Sequence, residues 1–200
     1  MPSNAWHRFR YTLWAPHYDR VTKFSRERRR SIELLALQPG ERVLVNGCGT
    51  GADLPLIPPE VAVLAADLTP AMLRQAQAHA RPGIEFRVLD GLALDLPDGS
   101  FDAAVLHMVL EVVEDPARFL AETARVLRPG GRVAVFDKFL PEGDRPGLVR
   151  RAGLAVLDFV FTSTNRRMEE ILEAAGAPLS VEHDERSVGA YRHLILRKER

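Results

Sequence analysis

Cysteine is nearly absent. Cys48 stands alone among 200 residues, which excludes an internal disulfide and suits a reducing compartment. Long apolar runs are absent too: a membrane-spanning helix needs roughly 18 such residues, and the longest candidate, Gly153 to Phe161, is broken by Asp158. The opening stretch MPSNAWHRFR lacks the apolar core of a secretion signal. Net charge is zero, with 27 basic and 27 acidic residues, whereas a dedicated nucleic-acid binder carries a basic excess. The six histidines show no metal-ligand spacing with Cys, Asp or Glu. These absences describe a cytoplasmic protein with no integral membrane segment, no nucleic-acid partner and no metal site.

The charge balance hides an asymmetry. Residues 1–30 hold eight basic groups against Asp19 and Glu27, a net charge of +6, interleaved with Trp6, Phe9, Tyr11 and Trp14. Cationic charge with shallow aromatic anchors suits peripheral contact with an anionic membrane; a lid over the protein's own acidic body is the competing reading. Within the arm, the run Arg26 to Arg30 reads as a solvated helix face or an anion contact. The length fits one domain, expected as an arm over 1–38 and an α/β core over 39–200.

Beyond the arm, Ser31 to Leu37 reads as a helix end stopped by Pro39-Gly40. Short apolar runs then alternate with helical stretches. Strands are expected at Arg42–Asn46, Val61–Ala66, Ile84–Leu89, Phe101–Leu106 and Arg132–Phe136, the last set off by the breaker Pro129-Gly130-Gly131. Thr69-Pro70 opens one helix and Pro116 another, with Phe119, Leu120, Thr123, Val126 and Leu127 at helical spacing. Helices are also expected over Leu148–Phe161 and Asn165–Ala175, and a terminal antiparallel pair over Leu179–Arg186 and Tyr191–Arg197. Strands alternating with helices imply right-handed crossovers and a parallel sheet. The fold class is α/β: a doubly wound, Rossmann-like sheet of five parallel strands with a C-terminal antiparallel hairpin and helices on both faces.

The segment Val43-Leu44-Val45-Asn46-Gly47-Cys48-Gly49-Thr50-Gly51 sets a glycine-rich turn after the first strand, where backbone can approach a ligand closely. Gly47, Gly49 and Ala52 also fit the dinucleotide pattern, and Asp67, twenty residues past Gly47, is placed to accept two ribose hydroxyls. Both an adenosine-type cofactor and NAD satisfy that arrangement. Asp90-Gly91 at the end of strand three suits an adenine edge, and no Tyr-x-x-x-Lys pair of the single-domain reductases is present.

Five segments in order, Val43 to Gly51, Asp67 to Leu73, Asp90-Gly91, Leu96 to Asp102 and Arg125 to Arg132, resemble the successive motifs of class I S-adenosylmethionine-dependent methyltransferases. Tyr18-Asp19 and Phe161-Thr162-Ser163 are similar to the quinone-biosynthesis C-methyltransferases and bacterial phosphatidylethanolamine N-methyltransferases. The resemblance implies transfer of a methyl group from S-adenosylmethionine to a small-molecule or lipid-borne acceptor. It implies that Gly47, Cys48, Gly49, Thr50 and Gly51 line the methionine part, that Asp67 holds the ribose and that Leu68 and Met72 flank the adenine. Asp90, Gly91 and Leu92 would face the adenine edge, with Tyr18 folding over the cofactor. The family's acidic residue two positions before the first glycine is Val45 here, which leaves a non-catalytic cofactor-binding domain as an alternative; an NAD-linked reductase, which shares the glycine turn and Asp67, is another. His107, at the end of strand four, is the candidate general base.

Overall fold

A computed structural model describes residues 24–140 and 166–199. Seven strands form one sheet in the order β3-β2-β1-β4-β5-β7-β6. These are β1 (Arg42–Asn46), β2 (Ala62–Asp67), β3 (Ile84–Val88), β4 (Phe101–His107), β5 (Leu127–Lys138), β6 (Leu179–Arg186) and β7 (Tyr191–Lys198). The first five are mutually parallel, and β7 alone runs against its neighbours, inserted between β5 and β6. The burial of the two terminal strands explains that order. Leu194, Ile195 and Leu196 of β7 are buried, as an interior strand requires, whereas β6 alternates exposed charges such as Glu182 and Asp184 and suits an edge.

Four α-helices lie among the described residues: α1 (Ser25–Leu34), α2 (Pro70–Ala76), α3 (Pro116–Val126) and α4 (Met168–Ala175). Alternate strand residues divide between two cores. Leu44, Leu64, Ala104, Leu106, Val133 and Val135 pack with Phe119 and Leu120 of α3 and Ile171 of α4. Val43, Val45, Val63, Ala65, Ala103 and Val105 pack with Ile32 of α1 and Leu73 of α2 on the other face. Two-sided burial is why these strands read as continuous apolar runs.

Local chemistry sets the helix ends. Asp115 caps α3, accepting the Arg118 N–H at 2.9 Å, and Pro116 fills the first helical position. Thr69 stands in extended backbone before α2 but makes no side-chain cap. Two expectations need correction. Pro129-Gly130-Gly131 does not break the chain ahead of β5. The strand starts at Leu127 opposite Phe101, and pairing resumes at Arg132 opposite Ala103, so the turn residues form a bulge within it. The helix expected over 165–175 begins only at Met168. The helix expected over Leu148–Phe161 and the Phe161-Thr162-Ser163 likeness lie outside the described residues.

Candidate cofactor site

The chain order reverses between β1 and β4, which are neighbours in the sheet while β2 continues on the far side. A crevice opens at the carboxyl ends of the strands at such a reversal. There a cavity of about 930 Å³, counting its open mouth, is lined by Gly47, Cys48, Gly49, Thr50, Asp67, Leu68, Met72, Asp90, Gly91, Leu92 and His107. Residues spread over sixty positions of sequence thus share one wall.

Each wall segment is fixed by its own bonds. The N–H groups of Gly47 and Cys48 both donate to the Ala66 carbonyl at 2.9 Å, tying the glycine turn to β2. Gly47 has φ +78°, and a Cβ there would meet Val109 at 2.6 Å, so both conformation and space demand glycine. Asp67 accepts from the Gly49 N–H at 2.9 Å and the Thr69 N–H at 2.8 Å, one on each oxygen. Burial raises its carboxyl pKa against the pull of those donors. Asp90 turns back to accept the Leu92 N–H at 2.9 Å. At Gly91 a Cβ would lie 2.0 Å from Phe119 Cε2 and 2.8 Å from Asn46 Oδ1. The Phe119 ring therefore closes directly onto the backbone beside Asp90.

Gly51 packs toward α2, where a Cβ would meet Ala76 at 3.0 Å. With φ +83° and no room for a side chain, glycine here lets α2 approach the turn. Cys48 lines the cavity with its thiol buried, its pKa raised by that burial and by the Asp67 and Asp53 carboxylates, so it stays a neutral thiol. Val45 is 2% exposed and belongs to the core beside α1 and α2. Asn46, one residue on, faces α3, donating to Thr123 Oγ1 at 3.1 Å, as strand alternation requires. Tyr18 lies outside the described residues.

His107 is held on both sides. Nδ1 lies 2.7 Å from Asp53 Oδ1 and Nε2 2.9 Å from Ser31 Oγ. Burial pushes its pKa below the ordinary value despite the Asp53 carboxylate. The ring is then neutral at pH 7, and its partners assign the proton to Nδ1, with Nε2 accepting from Ser31. In that arrangement the Ser31 hydroxyl and the Asp53 carboxylate together fix the ring at the end of β4, beside the cavity.

Asp53 is the centre of this cluster and did not stand out in the sequence, whereas its partner Arg28 belongs to the run read as a solvated face or an anion contact. Burial pushes the Asp53 carboxyl up, but His107 and Arg28 hold it well below the usual carboxylate range. Arg28 meets Asp53 directly, its Nη1 lying 2.6 Å from Asp53 Oδ2. Arg28 is 6% exposed and lines the cavity, so it is no part of a solvated or membrane-facing surface. The sequence does hold a signal for this. Arg28, Ser31, Ile32 and Leu35 fall at i, i+3, i+4 and i+7, one face of a helix, and all four are buried. Met108, Val109, Val112, Val113 and Phe119 complete the apolar wall.

A doubly wound sheet with a glycine turn at its reversal, a carboxylate after β2 and a second after β3 defines a nucleotide-binding α/β domain. Residues 44–135 match the family described as methyltransferase domain. The chain is 38% identical over 184 residues to the demethylmenaquinone methyltransferase of Thermus thermophilus, covering 82% of this chain and 83% of that enzyme. It is 37% identical over 134 residues to the phosphatidylethanolamine N-methyltransferase of Cereibacter sphaeroides, covering 64% of this chain and 66%, just under two thirds, of that one. Among solved structures, the [4+2]-cyclase SpnF superposes with a TM-score of 0.80 at 18% identity, covering 99% of this chain and 97% of the cyclase, a likeness of fold alone. The chain belongs to the class I methyltransferases, which take their methyl group from S-adenosylmethionine.

Proposed function

We propose that this protein transfers a methyl group from S-adenosylmethionine to a lipid-borne acceptor. The observation that carries the donor half is the convergence of the glycine turn, Asp67 and Asp90-Gly91 on one cavity. S-adenosylmethionine presents a ribose diol and an adenine amine, both hydrogen-bond donors, and the wall presents carboxylates at Asp67 and Asp90. In this reading Gly47, Cys48, Gly49 and Thr50 run along the methionyl chain, Asp67 accepts the ribose hydroxyls, and Leu68 and Met72 flank the adenine. Asp90, Gly91 and Leu92 face its edge, with Tyr18 from the arm as cover.

The bound donor supplies a methyl group already activated by positive charge on sulfur. What remains for the protein is alignment, which is worth ~7–11 kcal/mol when two reactants are held in attack geometry, and exclusion of water. The packed wall of Met108, Val109, Val112 and Phe119 suits both tasks.

The lipid-borne acceptor is supported by the two relatives, whose names specify a prenylated quinone precursor and a phospholipid. No helix among the described residues is long and apolar enough to cross a membrane, so a lipid acceptor would be met at a surface. We assign that contact to the arm over residues 1–30, with Arg26 and Arg29 of α1 exposed for it and Arg28 excluded by burial. A cytoplasmic setting fits the single buried thiol of Cys48.

The test supplies methyl-labelled S-adenosylmethionine with anionic vesicles carrying either a demethylated menaquinol or phosphatidylethanolamine. Label should enter the organic extract with one of the two, and less of it as salt rises, because each basic group at an anionic surface contributes ~1 kcal/mol that salt screens. Label transferred only to water-soluble amines or phenols, with neither lipid methylated, would overturn the acceptor assignment.

A further inference from the structure

The turn between β6 and β7 stands at the same edge of the sheet as the cofactor cavity. Tyr191, the first residue of β7, pairs with Lys138 at the end of β5, and the Phe139 N–H donates to the Ala190 carbonyl at 3.0 Å. Residues 187–190 therefore lie past the carboxyl ends of the parallel strands, where the cavity opens. The turn carries Val188, which at 60% exposure is the most exposed large apolar side chain among the described residues. Gly189 follows with φ +64°, and a Cβ there would meet nothing within 4 Å. One exposed valine is ordinary on any surface; its surroundings set this one apart.

Arginines flank the tip on both sides. Ser187 Oγ donates to Glu27 at 2.7 Å and Arg30 meets Glu185 at 2.9 Å, so the turn is fastened to α1, which brings the exposed Arg26 and Arg29 alongside. Glu185 faces α1, and strand alternation then sends Arg186 to the opposite side. The acids of β6 already have partners: Glu185 has Arg30, Asp184 has Arg192 and Glu182 has Arg197. Arg26, Arg29 and Arg186 form no ion pair among the described residues. The cationic arm joins the fold at the same place, because Phe24, where the described chain begins, packs on the Tyr191 ring with centroids 4.8 Å apart.

Resting on the lipid-borne acceptor proposed above, we infer that the β6–β7 turn is a membrane-insertion point. Val188 enters the head-group layer of an anionic bilayer, and Arg26, Arg29 and Arg186 meet the lipid phosphates around it. Shallow apolar insertion combined with cationic attraction is what holds a protein at such an interface. The position of the cavity supplies the second reason. An acceptor anchored in a bilayer reaches the donor only if the edge bearing the cavity faces the membrane, and the turn projects from that edge. The sheet then stands with the carboxyl ends of its parallel strands toward the lipid, anchored by the hairpin as well as by the arm.

The experiment places an environment-sensitive nitrobenzoxadiazole dye on Val188→Cys and, separately, on Val181→Cys; the native Cys48, buried and neutral, is left unlabelled. Val181 is also an exposed valine of the hairpin, but it pairs with Leu196, far from the turn. On vesicles of phosphatidylglycerol and phosphatidylcholine the Val188 dye should shift to the blue and brighten, while the Val181 dye should not. Vesicles of phosphatidylcholine alone should shift neither. In sedimentation, Val188→Asp should weaken binding to the anionic vesicles by about 10-fold, the loss expected for one buried valine. Its affinity for S-adenosylhomocysteine should stay within about twofold of wild type. An unmoved Val188 dye on protein that pellets with the vesicles would overturn the inference and leave the lipid-borne acceptor standing, as would equal shifts at both positions. Failure to methylate either lipid in the labelling experiment above would instead sink the acceptor assignment, and this inference with it.

Discussion

Asp53→Ala should lower the stability of the fold by about 3–5 kcal/mol, the cost of leaving one member of a buried ion pair without its counter-charge. For a chain of this size that is a fall in Tm of roughly 6–20 °C. The large value follows from burial: the Arg28 and Asp53 side chains are 7% and 3% exposed, so water can solvate neither once the partner is gone. The same change removes the acceptor for the His107 Nδ1–H and loosens α1 from the segment after the glycine turn. Thermal denaturation of the variant checks the expectation, and a shift under 2 °C would contradict it. Acid should act on the same cluster. Burial lowers the pKa of folded His107, so the unfolded chain binds a proton near pH ~6.5 that the native state refuses. This contribution to stability is complete above that pH and is lost as pH falls through it. Asp53, also lowered in the native state, adds a second loss below pH ~3.9. The wild-type Tm should therefore begin to fall below pH ~6.5, and in His107→Gln that first decline should be absent.

Asp67→Ala should weaken S-adenosylmethionine binding by ~100-fold or more. Two charge-assisted bonds to ribose hydroxyls are each worth ~1.5–3 kcal/mol, and the same carboxylate also holds the Gly49 and Thr69 N–H groups in place. Asp67→Asn keeps the shape and one acceptor oxygen, so it should retain more affinity than alanine. Titration of the two variants decides the matter. Equal affinity in wild type and Asp67→Ala would place the ribose elsewhere in the cavity.

Much of the fold is legible because the sheet is buried on both faces. The run Arg42 to Asn46 followed by glycines coincides with β1, and Leu179 to Arg186 coincides with β6. Ten of the expected cofactor contacts, from Gly47 to Leu92, and His107 line one cavity because they stand at or beyond the carboxyl ends of the strands. What was illegible depends on contacts made across the chain. The bulge at Pro129 to Gly131 reads as a breaker locally, yet β4 and β7 on either side hold the backbone in the sheet. The order of the terminal hairpin is set by which strand can bear burial, and pairing alone does not reveal it. His107 sits at a reactive position by motif, but Asp53 and Ser31, 54 and 76 residues away, occupy its nitrogens. Arg28 lay hidden in a basic run whose other members face solvent, and only its spacing to Ser31, Ile32 and Leu35 sets it apart.

The measurement that bears most directly on the cavity's assignment is a parallel titration of the wild-type protein with S-adenosylhomocysteine and with NAD. S-adenosylhomocysteine should bind one per chain and raise Tm in step with its concentration, because a ligand that binds only the native state stabilises it by mass action. NAD should do neither. Saturable binding of NAD with no response to S-adenosylhomocysteine would contradict the assignment of this cavity to a methyl donor.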